Sequence, residues 1–470
     1  MTLWTKDELL SALDGELLSH NLTGNIAIDE VVIDSRKTPK SGLFIALKGE
    51  KNDAHDFVKQ AADNGCKVAI VSREVAGISQ ILVRDTFAAL YKLAEFSRKR
   101  SKAKIIAITG SVGKTGTKEM LKLAFDSQGK TFATIGNLNN HYGVPLTLCN
   151  FAGDCAYGIF EMGMNHLNEI EPLSRLARPH LAIITNVGPV HIEFFKNEEE
   201  IALAKSEIFS GLLPSGIALI NADNKHLRFL EKRAESHKIE DSHLLTFGEI
   251  NPANYQILEF KILGANKAQV KAKLKNSEEI SYEIATSNPA IIFNSIIVLA
   301  ALDLLGNDLE KGLNQLKNLT TPEGRGKVYE VKTDGKTITI IDDSYNASVL
   351  SMHAGIEHLA KLKKILGKKR VVAALGDMLE LGEKSVELHE EVTNYLREYN
   401  IDFAILVGEK MKNAAQKLPA NSYKTFLTSL EASEQIQALL HDGDILYLKG
   451  SRGTKMENLI KNLIAQKSVH

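Results

Sequence analysis

The run Gly110-Ser111-Val112-Gly113-Lys114-Thr115-Gly116 combines the residue types that hold a phosphate. Glycines let backbone N–H groups converge on an anion, a lysine brings a mobile positive charge, and a threonine hydroxyl can reach a Mg²⁺ ion. The general pattern G-x-x-x-x-G-K-[ST] is not met, because Ile108 stands five residues before Gly113. Taken alone, the run is either a nucleotide cradle or a structural glycine turn.

Other residues carry chemistry only in company. Glu161 ends an apolar run, where a carboxylate either binds a metal or caps a nearby helix. Asp34-Ser35-Arg36 reads as a turn with a local ion pair, or as a planar guanidinium offered to a phosphate. Asn139, Asn140 and His141 form a polar stretch, and His191 follows an apolar run, a common place for a structural histidine. Lys205 lies among charges that ordinarily mark a solvated helix face.

These residues need a framework of alternating strands and helices. The β-branched run at 105–108 predicts a buried strand feeding the glycine turn, and 118–125 reads as the helix after it. Short continuous apolar runs at 158–160, 181–184 and 217–220 fit parallel strands buried on both faces. Several end in polar residues, Glu161, Thr185-Asn186 and Asn221-Ala-Asp223, at the carboxyl ends where ligands of open α/β sheets sit. Residues 254–286 alternate with period two and predict a small antiparallel excursion, after which a helix over 293–305 closes the domain.

Upstream, Thr5 and Glu8 have capping-box spacing before the stripe Leu9, Leu10, Leu13 and Leu17. Strands are expected over 31–36 and 42–47, a helix from Asp53 and His55 through Phe57 and Ala61, and a basic helix over 86–102. Downstream, residues 320–327 have the glycines and proline of a linker. Strands at 337–341, 371–375, 403–407 and 445–448 then alternate with helices, and none is followed by G-x-G-x-x-G, which argues against a dinucleotide site. The chain is thus read as α/β with three domains: a small N-terminal α/β domain (1–102), a central P-loop parallel-sheet ATPase domain (103–318) and a C-terminal Rossmann-like domain (319–470).

Bulk properties agree. At 470 residues the chain is too long for one ordinary core. The formal charge is 57 minus 58, or −1, so no global field recruits nucleic acid or a membrane surface. Cys66, Cys149 and Cys155 form no CxxC pair and leave an odd thiol, which suits a reducing cytoplasm. No apolar run approaches the roughly 20 residues that span a bilayer. A cytoplasmic protein is expected.

Several stretches together resemble the Mur ligase family, ATP-dependent enzymes that build the peptide of bacterial cell-wall precursors. Thr109-Gly-Ser-Val-Gly-Lys-Thr115 is similar to the family P-loop, whose spacing is shorter than the general motif. The segment 134–145 resembles the loop that closes on the reacting carboxylate and phosphate. Glu161-Met-Gly-Met-Asn-His166, the segment 185–191 and Ala204-Lys-Ser-Glu207 resemble the metal-site segments. In the last domain Asp342-Asp-Ser-Tyr-Asn-Ala347, Gly376-Asp-Met-Leu-Glu-Leu-Gly382 and Lys449-Gly-Ser-Arg452 look most like the member that adds D-alanyl-D-alanine to UDP-N-acetylmuramoyl-tripeptide.

The resemblance implies amide synthesis through an acyl phosphate, with ATP and Mg²⁺ as cofactors. Lys114 and the loop amides would hold the β- and γ-phosphates, Thr115 and Glu161 one Mg²⁺, and His191 a second. Lys205 matches a lysine that many members carbamylate with CO₂, and Asn139 and Asn140 fall near the substrate carboxylate and γ-phosphate. Asn165 and His166 would position substrate, with Asn168 where the family commonly has glycine. Asn294 matches an asparagine near adenine, although Ala290-Ile291 replaces the upstream His-Asn. Arg325 and Asp343 would bind ribose and phosphate. Ser35, Arg36, Asp53 and His55 resemble the uridine diphosphate segment, and Tyr345, Asn346, Lys449, Ser451 and Arg452 would line the acceptor side. A monomer is expected. The rivals are another ligase of the superfamily, such as a folylpolyglutamate synthase, and a P-loop regulatory protein that ligates nothing. The first would not be expected to carry Asp34-Ser-Arg36 ahead of its P-loop, and the second leaves Lys205, His191 and the third domain unexplained.

Overall fold

The computed structural model of the chain describes every residue except 1, 50, 51, 191, 265, 322, 366, 368, 369 and 466–470. Three large sheets succeed one another along the chain, each flanked by helices, and Trp4–Thr5 pairs with Ala27–Ile28 in a small two-stranded sheet beside the first.

The first has the strand order Leu17–His20, Ser79–Val83, Cys66–Val71, Gly42–Ile45, Glu30–Val32, and is parallel except at the Leu17–His20 edge. Its opening helix, Lys6–Ala12, begins in the expected capping box, with Thr5 and Glu8 satisfying each other's backbone N–H. The apolar stripe runs on to Leu17, but the helix ends at Ala12, the chain turns at Gly15, whose φ of +87° suits glycine, and Leu17 opens an edge strand. The strand predicted over 31–36 is confined to Glu30–Val32, which leaves Ser35 and Arg36 in a turn.

The central sheet runs Glu279–Ile284, Lys267–Lys273, Tyr255–Gly264, Leu244–Gly248, Ile217–Asn221, Leu181–Ile184, Lys104–Thr109, Tyr157–Glu161, Thr131–Ala133. Neighbours are parallel from Tyr255–Gly264 onward and antiparallel before it. The antiparallel excursion is therefore an extension of the main sheet, because its first strand pairs in parallel with Phe247 and Gly248. Register decides what meets at the carboxyl edge. Glu161 pairs with Ile108 and Ile184 with Thr109, so the glycine loop, Glu161 and Thr185 emerge side by side.

The third sheet has the order Lys327–Thr333, Lys336–Asp343, Ile445–Lys449, Val371–Gly376, Phe403–Val407, Tyr423–Phe426, parallel but for the first pair. Its two edge strands, Lys327–Thr333 and Tyr423–Phe426, escape a search for continuous apolar runs because both are largely half-exposed or exposed.

One apolar core runs from Trp4 and Leu9 through Leu90 and Leu93 to Leu148, Phe160 and Ile184, joining the first unit to one face of the central sheet. Across that junction Trp4 Nε1 donates to the Cys149 carbonyl at 2.8 Å and Ser97 Oγ to the Phe151 carbonyl at 3.0 Å. The third unit has separate cores on the two faces of its own sheet. No helix among the described residues is long and apolar enough to cross a membrane.

Candidate functional site

The strand Lys104–Thr109 delivers the chain into the glycine loop, and the following helix spans Lys114–Asp126, starting earlier than the apolar pattern suggests. Lys114, Thr115 and Gly116 thereby form its first turn, where backbone N–H groups lack helical partners and face an incoming anion. Two glycines are required by space and conformation. Gly110 has φ +153°, and a Cβ there would lie 1.9 Å from Thr185 Oγ1; Gly113 has φ +86°, and a Cβ there would lie 2.8 Å from the Asn294 amide.

The loop is tied to the neighbouring strand end. Ser111 N–H donates to the Asn186 carbonyl at 2.8 Å, Ser111 Oγ to the Gly188 carbonyl at 2.9 Å, and Thr185 Oγ1 to the Val112 carbonyl at 2.6 Å. Asn294, on the helix Pro289–Leu304, lies against Gly113.

Lys114 Nζ donates to the Gly110 carbonyl at 2.5 Å. Desolvation lowers its pKa, opposed by Glu161 and reinforced by the charge of Arg325. Arg325 belongs to the third unit, so that unit already contributes to the field around the phosphate loop. Glu161 is 1% exposed; its Oε1 accepts from Asn139 Nδ2 at 2.9 Å, and its Oε2 is buried without a hydrogen-bond partner. A buried carboxylate oxygen left unpaired is the expected state of a cation ligand lacking its ion. Among the described residues no group of three His, Cys, Asp or Glu side chains could hold a metal. The donors fit Mg²⁺, which takes one or two protein oxygens and draws the rest from phosphates and water. His191 lies outside the described residues.

Lys205 overturns the solvated-face reading. It is 4% exposed near the end of the helix Glu198–Ser206, and its ammonium makes no hydrogen bond or ion pair among the described residues. Burial, and then the charge of Lys114, hold its pKa well below the ordinary lysine value.

The loop residues divide. Asn139 serves Glu161, whereas Asn140 Oδ1 accepts from the N–H groups of Tyr142 and Gly143 where the helix Gly143–Cys149 begins. His141 packs its ring against Tyr142 and Phe87. Asn165 and His166 are exposed, with both backbone N–H groups held by the Glu169 carboxylate. Asn168 adopts φ +66°, a conformation glycine also favours, so the loop keeps its course despite the side chain. Glu207, which closes the stretch Ala204-Lys-Ser-Glu207, accepts from Asn168, Ile170 and Glu171 N–H and fastens this loop to the Lys205 segment.

In the third unit the Arg325 guanidinium stacks on the Tyr345 ring at 3.9 Å, and Arg452 lies 5.7 Å from the same ring. Asp343 accepts from Lys449 Nζ at 2.5 Å. Ser451 Oγ accepts from Leu379 N–H at 2.9 Å. Asn346, Ser451 and Arg452 line a cavity of about 210 Å³ that Pro189 and Val190 of the central unit line as well.

In the first unit the residues that resemble the uridine diphosphate segment are engaged within the fold. Arg36 is bound bidentately by Asp34 at 2.9 Å for each contact, and its hydrogen bonds hold the Asp34 carboxyl down to about 2. Ser35 Oγ donates to Gln60 at 2.7 Å. His55 is buried, with Nδ1 on Asp53 at 2.6 Å and Nε2 accepting from Ser72 N–H at 2.8 Å. Both of its ring nitrogens are thus engaged within the fold, and a direct substrate contact would have to break one of these bonds.

The Mur ligase middle-domain model matches residues 108–302, and the model for the Mur ligase, glutamate ligase domain matches 324–452. A UDP-N-acetylmuramoyl-tripeptide–D-alanyl-D-alanine ligase of Rickettsia prowazekii is 35% identical over 463 residues, 97% of this chain and 99% of the relative. Among solved structures, MurF from Acinetobacter baumannii superposes with a TM-score of 0.85 at 31% identity, covering 98% of this chain and 99% of that one. MurF ligase from Thermotoga maritima in complex with ADP gives 0.78 at 26% identity, over 93% and 97% of the two chains.

Proposed function

The chain belongs to the Mur ligase family, and from that premise we propose that it joins D-alanyl-D-alanine to the terminal carboxylate of UDP-N-acetylmuramoyl-tripeptide with conversion of ATP to ADP and phosphate, in peptidoglycan precursor synthesis. The observation that carries the reading is the composite site. Lys114, Glu161, Asn139 and Lys205 gather at one sheet edge, and Arg325 reaches the same field from the third unit.

The reaction needs alignment and charge neutralisation more than a protein nucleophile. The tripeptide carboxylate attacks the γ-phosphoryl, giving an acyl phosphate and ADP; the dipeptide amine then attacks the acyl carbon and phosphate leaves. Lys114 and the loop N–H groups would hold the β- and γ-phosphates. Glu161 Oε2 and the Thr115 hydroxyl would hold Mg²⁺, which neutralises phosphate charge when bound. Asn139 orients Glu161. Lys205, desolvated beside Lys114, favours the neutral amine, the form to which CO₂ adds.

Asn294 would adjoin the nucleotide, Arg325 and Asp343 would serve its ribose and phosphate, and the cavity between the units would take the dipeptide beside Asn346, Ser451 and Arg452. Residues 1–102 would bind the uridine nucleotide, 103–318 ATP, and 319–470 the acceptor. We further propose a cytoplasmic monomer.

The test is phosphate release by purified protein with ATP, UDP-N-acetylmuramoyl-tripeptide and D-alanyl-D-alanine. Release that requires both substrates is expected; release indifferent to the dipeptide refutes the reading.

A further inference from the structure

We propose that Lys118 is a positioning residue of the ligase site: its buried ammonium holds the chain at Thr134, and through it the Glu161 carboxylate and the Asn139 loop, against the phosphate helix. The inference rests on the ligase reading above and concerns a side chain to which that reading assigns no part.

Lys118 lies one turn beyond Lys114 on the helix Lys114–Asp126, yet it is only 1% exposed. Lysines on helices ordinarily extend to water. Here Nζ donates to the Thr134 carbonyl at 2.6 Å and pairs with Glu119 Oε1 at 2.7 Å. The helix positions beside it, Met120 and Leu121, are buried apolar side chains, so filling space alone asks for no charge. A buried ammonium carries a desolvation penalty that an apolar residue avoids.

What the ammonium holds is a weak point of the sheet. Thr131–Ala133 is the terminal strand, three residues long and paired on one side only. Thr134 follows it directly, its N–H donating to the Ile159 carbonyl at 3.0 Å and its Oγ1 accepting from Glu161 N–H at 3.0 Å. Five residues on, Asn139 donates to Glu161 Oε1. Lys118, Thr134, Glu161 and Asn139 thus form a connected relay from the phosphate helix to both groups that shape the cation ligand. A charge-assisted hydrogen bond at its head resists displacement more than a neutral one would.

Lys118→Met keeps the stem and removes the charge. In the full chain kcat for phosphate release is expected to fall about tenfold or more, with KM for the UDP-linked substrate and the dipeptide changed less than about twofold. Calorimetry of ADP binding with and without Mg²⁺ reads the relay directly: the factor by which Mg²⁺ tightens ADP should shrink about fivefold, with Mg²⁺-free binding preserved. Lys118→Arg should restore most of both effects. Thr134→Val, which keeps the carbonyl but loses the hydroxyl facing Glu161, should reproduce the magnesium defect, and the double variant should fall well short of the product of the single effects. The ADP measurement uses neither ligase substrate, so it judges Lys118 whatever the phosphate-release assay says of the ligase reading. Wild-type kcat and magnesium dependence in Lys118→Met, with only a lowered melting temperature, would overturn the proposal. If that variant does not fold, wild-type magnesium dependence in Thr134→Val overturns it equally.

Discussion

Lys449 donates to Asp343 Oδ2 at 2.5 Å, and the Tyr447 hydroxyl donates to the same oxygen at 2.9 Å. The sequence places these partners in different roles, Asp343 with the nucleotide and Lys449 with the acceptor, and the ion pair makes them one unit. Lys449 is 4% exposed along its side chain, so its charge cannot fall back on water. Lys449→Met should therefore raise KM for ATP and for the dipeptide together, and destabilise the third unit by about 3 kcal/mol. Adding Asp343→Asn should bring little further loss. A rise confined to the dipeptide KM, with the thermal midpoint unchanged, would separate the two residues again.

Asn139 determines which Glu161 oxygen stays free. Asn139→Ala leaves Oε1 unsatisfied in a buried position and lets the carboxylate turn, so kcat should fall about 10- to 100-fold with the ATP KM within about threefold. Steady-state kinetics at saturating magnesium decides it; an unchanged kcat removes Asn139 from the site.

Lys205 is a destabilised group kept in place. Lys205→Ala should nearly abolish turnover. Lys205→Met, which preserves the packed stem, should do the same while leaving the melting temperature at or above that of the natural chain, because a desolvated amine has been removed. Full activity in either variant rules out a role for the lysine.

His358 gives the fold an acid limit. On the helix Val349–Ile365 it is 2% exposed against the backbone at Ser287 of the central unit, and neither ring nitrogen has a well-formed hydrogen bond. Burial, with the charge of Lys361, lowers its pKa from 6.5 to about 4. Between those values the unfolded chain binds the extra proton, so this residue's contribution is whole above pH 6.5 and is lost as pH falls towards 4, an effect of about 3 kcal/mol. Thermal melts from pH 7.5 to 4.5 should show this slope, and His358→Leu should flatten it. Equal slopes in both proteins would discount the residue.

Much of the scaffold was legible in the residues alone. Short, continuous β-branched runs suit a strand covered on both faces, and the glycines bracketing Lys114 mark a turn where backbone can approach an anion, so both signals are local ones. The capping box at Thr5 is equally local, and the structure reproduces it atom for atom. Strand ends were visible as well, since Glu161, Thr185 and Asn221 interrupt apolar runs that the core requires.

Burial and pairing were not legible, because they depend on what the rest of the chain brings alongside. Lys205 and Lys118 look like solvated lysines in sequence; packing encloses both, and one is left unpartnered while the other grips a strand end. That the His55 imidazole is buried between Asp53 and Ser72 is likewise set by packing and not by spacing. The amino-acid sequence by itself determined which segments become the buried strands and where the phosphate loop lies, because those follow from local periodicity and residue type, and its motifs carry the resemblance to a family. Tertiary structure alone decided which charges are desolvated, which carboxylate oxygen stays free for a cation and that Arg325 acts on Lys114. Desolvation and Coulomb interactions depend on distances in space, and spacing along the chain does not set them.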